Sequence, residues 1–476
     1  MSHRAFASQS LVLAMGLVEI LRIFDAKILS GFGHAIQAKV STDALASAII
    51  AEINFFCRAL SHIFEISRGR RQFDEGCALS SRQGATILIL GLISALGSMA
   101  IHMLAPALPL VQRDLSASVG QAQLVIPIYL FGLGGGQLLM GPLVDRWGRL
   151  KVLVLGLILF VLGSLVSAFA LSLEMLLVAR GLQAVGGAAG LVCSRALVAD
   201  LFGSQGGAKE QAKLMMVVLI SPALAPLVGA YLASWGGWRL VFCALAAIAV
   251  LAFALVLTFL RRRQRASATR HARAPLSSDL ARLARNRSFV LSTCTLAAGS
   301  SALYMFLASG AFLLEQQFGL DERSAGVCFL LVAVAGIVGT RLLQVIEQRW
   351  DSMVSGTMLL LTGSLSLLLL ASVGITGPWV VTICMMALGL GAGVVGPAAI
   401  HNAVSAEIGL AGTGASIAGS VQMLVSGAAT VPVGWLGTIT SLKLGLALSI
   451  ATGLALTAAL LRARHARVEA QGMSAE

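Results

Sequence analysis

Charge is scarce in this chain. Only 12% of its 476 residues are Asp, Glu, Lys or Arg, 57% are hydrophobic, and the mean hydropathy is +0.89. Soluble domains carry about 25% charged residues, so an ordinary soluble fold is excluded. Cysteine is scarce as well: seven in all, an odd number, mostly inside apolar runs (Cys193, Cys243, Cys294, Cys328, Cys384), which argues against a disulfide framework. No C-x-x-C pair or clustered Cys/His spacing offers a metal site, and no G-x-x-x-x-G-K-[ST] run offers nucleotide hydrolysis. Nor do a nucleophile and a base stand at a recognisable spacing, so neither enzyme chemistry nor a cofactor is expected. Any work the chain does must draw its energy from elsewhere.

What the chain does have is twelve apolar runs, starting near Ala85, Gln121, Val152, Met175, Ala212, Arg239, Ser288, Gly326, Met353, Trp379, Gly412 and Lys443. Each is long enough to cross a ~30 Å hydrocarbon core, which takes roughly 20 residues. Several contain paired small residues, such as Gly186 and Gly187, that let helices approach closely in lipid. The expected fold is therefore an all-α integral membrane protein with twelve transmembrane helices.

The net charge of +13 raises the question of nucleic acid, and its location answers it. Residues 261–287 hold nine arginines and one aspartate, +8 in one loop between the sixth and seventh runs. With alternate loops assigned to opposite sides, 19 Lys/Arg share the side of this loop and four (Arg113, Arg239, Arg323, Lys443) the other. The positive-inside rule then puts both ends of the twelve-helix body and the central loop in the cytoplasm, and no nucleic-acid partner is expected. The lipid bilayer is the partner, with anionic headgroups as candidates at residues 261–287.

The basic loop divides the runs six and six, as in a transporter built from two similar halves around a midplane cavity. The expected layout is an extension over 1–84, a first half over 85–260, a cytoplasmic linker over 261–287, a second half over 288–462 and a tail over 463–476. A faint echo links the turn 141-GPLVDRWGRLK-151 with 339-GTRLLQVIEQRWDS-352. In the extension, Leu11–Phe24 is short and interrupted by Glu19 and Arg22. That suits an amphipathic or buried helix better than a crossing, and a cleaved signal peptide is poorly matched. Two readings stay open, an extension with no transport role and a helix lying on the membrane surface.

The turn at 141–151 places Asp145 where one helix hands over to the next, so its carboxylate can face a helix N-terminus and pair with arginine, while glycines permit a tight turn. This pattern resembles the signature of the major facilitator superfamily, G-x-L-x-D-x-x-G-R, met at Gly141, Leu143, Asp145, Gly148 and Arg149. In that family the turn, here with Arg146 inside it, is held to latch the cytoplasmic side shut. The resemblance implies two six-helix halves that rock around a central site. An ordinary charged loop anchoring helix ends is the alternative.

In 179-ARGLQAVGGAAG-190, Arg180 and Gln183 lie about one turn apart on one face, with Gly186 and Gly187 beside them. A buried arginine in lipid is expensive and should face a cavity or a partner. The pattern resembles the superfamily's R-x-x-Q-G-x-G, linked there to proton transfer, with Ala184 in place of the first glycine. A snorkelling arginine near the membrane surface is the competing reading. Farther on, 221-SPALAPLVGA-230 carries Pro222 and Pro226, each of which removes a backbone donor. It resembles the antiporter pattern G-x-x-x-G-P-x-x-G-G at Pro226 and Gly229, with Ser221, Ala225 and Ala230 where glycines are usual. The implication is export in exchange for protons, against a kinked packing helix in an importer.

Residues 124–248, FGLDERSAGVCFLL and 411-AGTGASIAGSVQMLVSGA-428 resemble the Bcr/CflA group of drug resistance transporters over about Ala85–Leu461. That resemblance implies a multi-pass protein of the bacterial inner membrane, working as a monomer, that exchanges amphipathic small molecules for protons. The group's first helix carries S-I-D-M-Y-L-P-A-x-P, whereas this chain reads 100-AIHMLAPALP-109, with His102 in place of the aspartate. A carboxylate loses negative charge on protonation, whereas an imidazole gains positive charge. His102 is thus either a proton carrier for a neutral or anionic substrate, a neutral hydrogen-bonding group, or a drifted position. Arg180, Gln183 and Glu315 are the other coupling candidates, and Glu174 is a further acid near a membrane boundary. Met103, Tyr129, Tyr304, His401, Asn402 and Gln422 are the cavity candidates, as polar tips or pliable thioethers on apolar helices. Two alternatives to multidrug export stand, an exporter of one native metabolite and a non-transporting receptor or scaffold of the same fold.

Overall fold

Thirteen α-helices follow one another, with no strand among the described residues of the computed structural model, which are 75–260, 276–407 and 410–473. The segment Leu11–Phe24 and linker residues 261–275 lie outside them. Residues Met1–Leu88 and Ile89–Glu476 form separate units, and the contacts below are those of the second.

Polar and conformationally special residues set the helix boundaries. Helix α1 (Glu75–His102) gives way to a 3₁₀ turn (Ala105–Ala107) and α2 (Leu108–Asp114), with Pro106 and Pro109 near the start of each. Proline lacks the backbone donor that a helix interior requires but is suited to a first turn. Ser118 opens α3 (Val119–Gln123) with a capping box, its Oγ accepting from Gln121 N at 3.2 Å while Gln121 Oε1 accepts from Ser118 N at 2.9 Å. Helix α4 (Val125–Trp147) ends at Gly148, whose φ of 85° only glycine adopts freely, and α5 (Arg149–Ala168) follows at once.

Helix α6 (Leu173–Leu255) is the departure from twelve separate helices: its hydrogen bonding runs unbroken over 83 residues. A straight helix of that length would reach about 125 Å, some four times a ~30 Å core. It contains the crossing Leu173–Phe202 and then Lys213–Phe259, whose 47 residues suffice for two passes. The bend between those passes is at Gly237, with φ 69°. There the Trp238 indole N–H donates to Asp114 Oδ2 at 3.1 Å and Arg239 Nη2 donates to Ala170 O at 3.0 Å. Residue 237 therefore lies at the same face as the end of α2 and the α5–α6 turn. Among the described residues, eleven helices are long and apolar enough to cross, and the 47-residue one holds both the fifth and the sixth expected pass.

After the linker come the short α7 (Leu276–Arg285), then α8 (Arg287–Phe318), α9 (Glu322–Ile346), α10 (Ser352–Ser372), α11 (Pro378–Ser405), α12 (Ala411–Gly434) and α13 (Ser441–Met473). Asn286, Asp321 and Asp351 each accept a backbone N–H three residues on at 3.0 Å, capping α8, α9 and α10. Much of the scarce polarity in this half is thus spent on helix starts.

The two halves repeat one packing device. A Cβ on Gly163 would lie 2.6 Å from Gln183 N, and one on Gly363 would lie 2.7 Å from Leu388 N. Likewise a Cβ on Gly186 would meet Phe160 N at 2.5 Å, and one on Gly391 would meet Leu360 N at 2.6 Å. Backbones approach this closely only where no side chain intervenes. Between the halves, α4 meets α12, where a Cβ on Gly134 would lie 2.9 Å from Ser420 O.

Candidate functional site

Inside the first half, Arg180 sits seven residues into its crossing and is 0% exposed. Its Nη1 donates to Gln183 Oε1 at 2.6 Å, and Gln183 Nε2 donates to Ser164 Oγ at 2.7 Å. Ser164 in turn donates to Phe160 O at 2.7 Å, which closes the chain on the α5 backbone. The guanidinium lies 4.0 Å from the Tyr129 ring centroid and 5.7 Å from that of Phe242, and Nε points to Val125 O at 3.5 Å. Its Nη2 and the Tyr129 hydroxyl are buried with no hydrogen-bond partner among the described residues. A cation is thus held in the bundle by neutral groups and aromatic faces, with no carboxylate in the set. Aromatic faces and an amide oxygen can hold a desolvated guanidinium in place without cancelling its charge.

His102 is the last residue of α1 and 8% exposed. Its Nδ1 lies 2.8 Å from Ser98 O. Because a carbonyl oxygen only accepts, that nitrogen carries the hydrogen, which leaves Nε2 as the lone-pair nitrogen. Nε2 makes no hydrogen bond to the described residues. The next residue, Met103, is fully buried, and its carbonyl sits where a Cβ on Gly229 would be. Gly229 therefore serves close contact between the first and fifth crossings. One turn earlier, Pro226 O lies 3.3 Å from where a Cβ on Gly326 would stand, so the Pro226 stretch touches α9 in the other half. Pro222 is partly exposed within α6.

At the linker face, Arg149 Nη1 donates to Ala196 O at 2.5 Å and pairs with Asp200, tying the start of α5 to the end of the fourth crossing. Gly148 makes the turn, Arg146 is exposed and Gly141 has open space beside it. The side chain of Asp145 lies outside what is described. In the second half the charges are exchanged: Asp351 comes from the turn, and Arg462 Nη1 reaches it at 3.3 Å while Nη2 donates to Asn402 Oδ1 at 2.5 Å. Asn402 also donates to Ala398 O at 2.8 Å, so it belongs to this clamp at the helix ends. His401 beside it is exposed.

Glu315, expected as a coupling acid, is ion-paired with Arg113 at the face opposite the linker, joining α8 to α2. Glu174 is exposed in the first turn of α6. Also between the halves, Arg323 Nε donates to Ser234 Oγ at 2.8 Å with its guanidinium 5.6 Å from the Tyr231 ring, and Gln123 Nε2 donates to Ser309 Oγ at 3.1 Å. Gln422 Nε2 donates to Ser300 Oγ at 2.7 Å, and Tyr304 is 8% exposed. A cavity of about 360 Å³ opens at the face opposite the linker, lined by Arg113, Asp114, Trp238 and Arg239 among others. Ser98, Ser164, Phe242 and Asp114 escaped sequence reasoning, and Arg113 entered it only as a loop charge. Each matters through a partner on another helix or a backbone atom, which spacing along one helix does not reveal.

The profile of the Major Facilitator Superfamily matches residues 88–406. Multidrug resistance protein D of Escherichia coli is 28% identical over 342 residues, 72% of this chain and 86% of that protein. The bicyclomycin resistance protein homolog of Haemophilus influenzae is 27% identical over 71% of this chain and 86% of its own length. A chloramphenicol resistance protein of Pseudomonas aeruginosa is 31% identical over 56% of this chain and 63% of its own. Among solved structures, a D-xylose–proton symporter superposes with a TM-score of 0.64 at 16% identity, covering 79% of this chain and 96% of that one. A bacterial homolog of the human lysosomal transporter Spinster, inward-facing and occupied, superposes with 0.62 at 17%, covering 80% and 96%. At these identities the superpositions speak for the fold alone.

Proposed function

The chain belongs to the major facilitator superfamily, and from that premise we propose that it expels amphipathic small molecules across the bacterial inner membrane in exchange for protons. The observation that carries the proposal is the bare Nε2 of His102, twelve residues inside its crossing. Antiport requires that substrate and proton exclude each other. One lone pair does this, since it can accept a hydrogen bond from a substrate or a proton, but not both. Names of relatives that refer to multidrug, bicyclomycin and chloramphenicol resistance support a drug-like substrate.

The arrangement of charged contacts, three ion pairs and one arginine–hydroxyl hydrogen bond, supports alternating access between halves over 85–260 and 288–462. At the face opposite the linker, Arg113–Glu315 and Arg323–Ser234 join the halves. At the linker face, the described pairs Arg149–Asp200 and Asp351–Arg462 each stay within one half. Rocking then breaks the first set and carries the second along as rigid braces. By the positive-inside rule, the linker face, both ends of the helical body and the turn at 141–151 would lie in the cytoplasm, where basic residues of the 261–287 loop such as Arg285 and Arg287 would meet anionic headgroups. Gly141, Asp145, Arg146, Gly148 and Arg149 would form the gate on that side, and the chain would act as a monomer. Tyr129, Tyr304 and Gln422 remain candidates to line the path.

The test is accumulation of chloramphenicol in bacteria expressing the chain, with and without an uncoupler. The proposal expects lower accumulation than in cells lacking the chain, restored by the uncoupler. Equal accumulation with and without the chain, across a panel of unrelated antibiotics, would sink it.

A further inference from the structure

Among the described residues, no carboxylate stands deep in a candidate crossing. Residues 85–468 include twelve Asp and Glu, and none lies more than three residues inside a candidate crossing. Basic groups go deeper within a single pass: His102 lies twelve residues from the nearer end, and Arg180 seven. Arg180 is wholly buried, with an amide oxygen as its side-chain acceptor, and its Nη2 is unpartnered among the described residues, as is the Tyr129 hydroxyl. In a low-dielectric interior, positive charge that no carboxylate cancels repels a second cation strongly.

We infer that the exported species is a neutral amphipath carrying at least one O–H or N–H donor, and that organic cations are rejected. This rests on the antiport reading above. A cation would enter a bundle whose deep charge is positive and find no carboxylate to answer it. An anion would bind more tightly once His102 gains its proton, which is the reverse of exchange. A neutral donor satisfies the Nε2 lone pair, competes with the proton for it, and leaves the Arg180 charge undisturbed.

The experiment is equilibrium binding to the purified full chain in detergent. A panel of neutral, hydroxyl- or amide-bearing antibiotics that includes chloramphenicol is set against tetraphenylphosphonium and ethidium. The expected result is that at least one neutral compound binds tenfold or more tighter than either cation. O-methylating or N-methylating its donors should weaken it by a similar factor. In the His102→Asp variant, tetraphenylphosphonium affinity should rise at least tenfold, because a carboxylate now answers its charge. Either cation binding as tightly as the best neutral compound overturns the inference. So does a panel in which no neutral compound binds, or an aspartate variant with unchanged cation affinity. Failure of the export reading shows separately, as cells that accumulate every probe equally with and without the chain, whatever the order of binding.

Discussion

Replacing Arg180 with Met separates a functional charge from a structural one. The side chain is fully buried and unbranched, so Met fills much of the same volume while deleting the charge. The losses are a charge-assisted hydrogen bond to Gln183, worth about 1.5–3 kcal/mol, and the contact over the Tyr129 ring, worth ~2 kcal/mol when desolvated. Against them stands removal of a buried cation with no carboxylate, whose effective desolvation penalty is several kcal/mol. The terms nearly cancel, so stability should change by no more than about 2 kcal/mol in either direction. For a six-helix half that is a shift in Tm of at most about 4–8 °C. Arg180→Ala, which also opens a cavity, should be destabilised by roughly 2–5 kcal/mol. The assay is thermal unfolding in detergent alongside chloramphenicol efflux: the Met variant should keep its fold and lose transport. A Met variant that unfolds as readily as the Ala variant, or that transports like the wild type, would show that the Arg180 charge has no separate functional role.

Further outcomes follow from other contacts. Gly229→Val should weaken the packing of the first crossing on the fifth, because its Cβ would overlap the Met103 carbonyl, at a cost of about 1–3 kcal/mol read as a lower Tm. Arg113→Glu or Glu315→Arg alone should make a cysteine placed at Leu110 react faster with a membrane-impermeant thiol reagent, as the halves part at that face. The double swap should restore the slower rate. Arg282, with Asn286, holds the Glu407 carboxyl below its ordinary value of 4.5. A depressed folded value means that the stabilisation is fully present above pH 4.5 and is lost as pH falls through the lower folded value. A fluorophore on a Leu280→Cys variant should therefore be immobile at neutral pH and gain motion only in that acid range, as α7 leaves its dock on Glu407.

The crossings were legible because lipid imposes length and hydropathy on each helix, and both are local properties. Gly237 was not, since nothing in 235-WGGW-238 distinguishes a bend within continuous helical hydrogen bonding from a loop between two helices. The internal repeat was faint in the polar turns and is plainer in the packing, where Gly163 and Gly363 meet equivalent backbone atoms. Sequence spacing could pair Arg180 with Gln183, which lie three residues apart on one helix. It could not supply Ser164, Tyr129 or Phe242, which arrive from three other crossings. For the same reason Glu315 looked like a free acid, and Asn402 like a cavity group, until Arg113 and Arg462 came to stand beside them.

Proton movement on addition of chloramphenicol to proteoliposomes holding a pH-sensitive dye, compared between wild type and His102→Ala, tests the central claim most directly. Substrate-driven proton movement is expected in the wild type and none in the alanine variant, which still folds. Drug movement without proton movement in the wild type, or equal proton movement in both proteins, would contradict it.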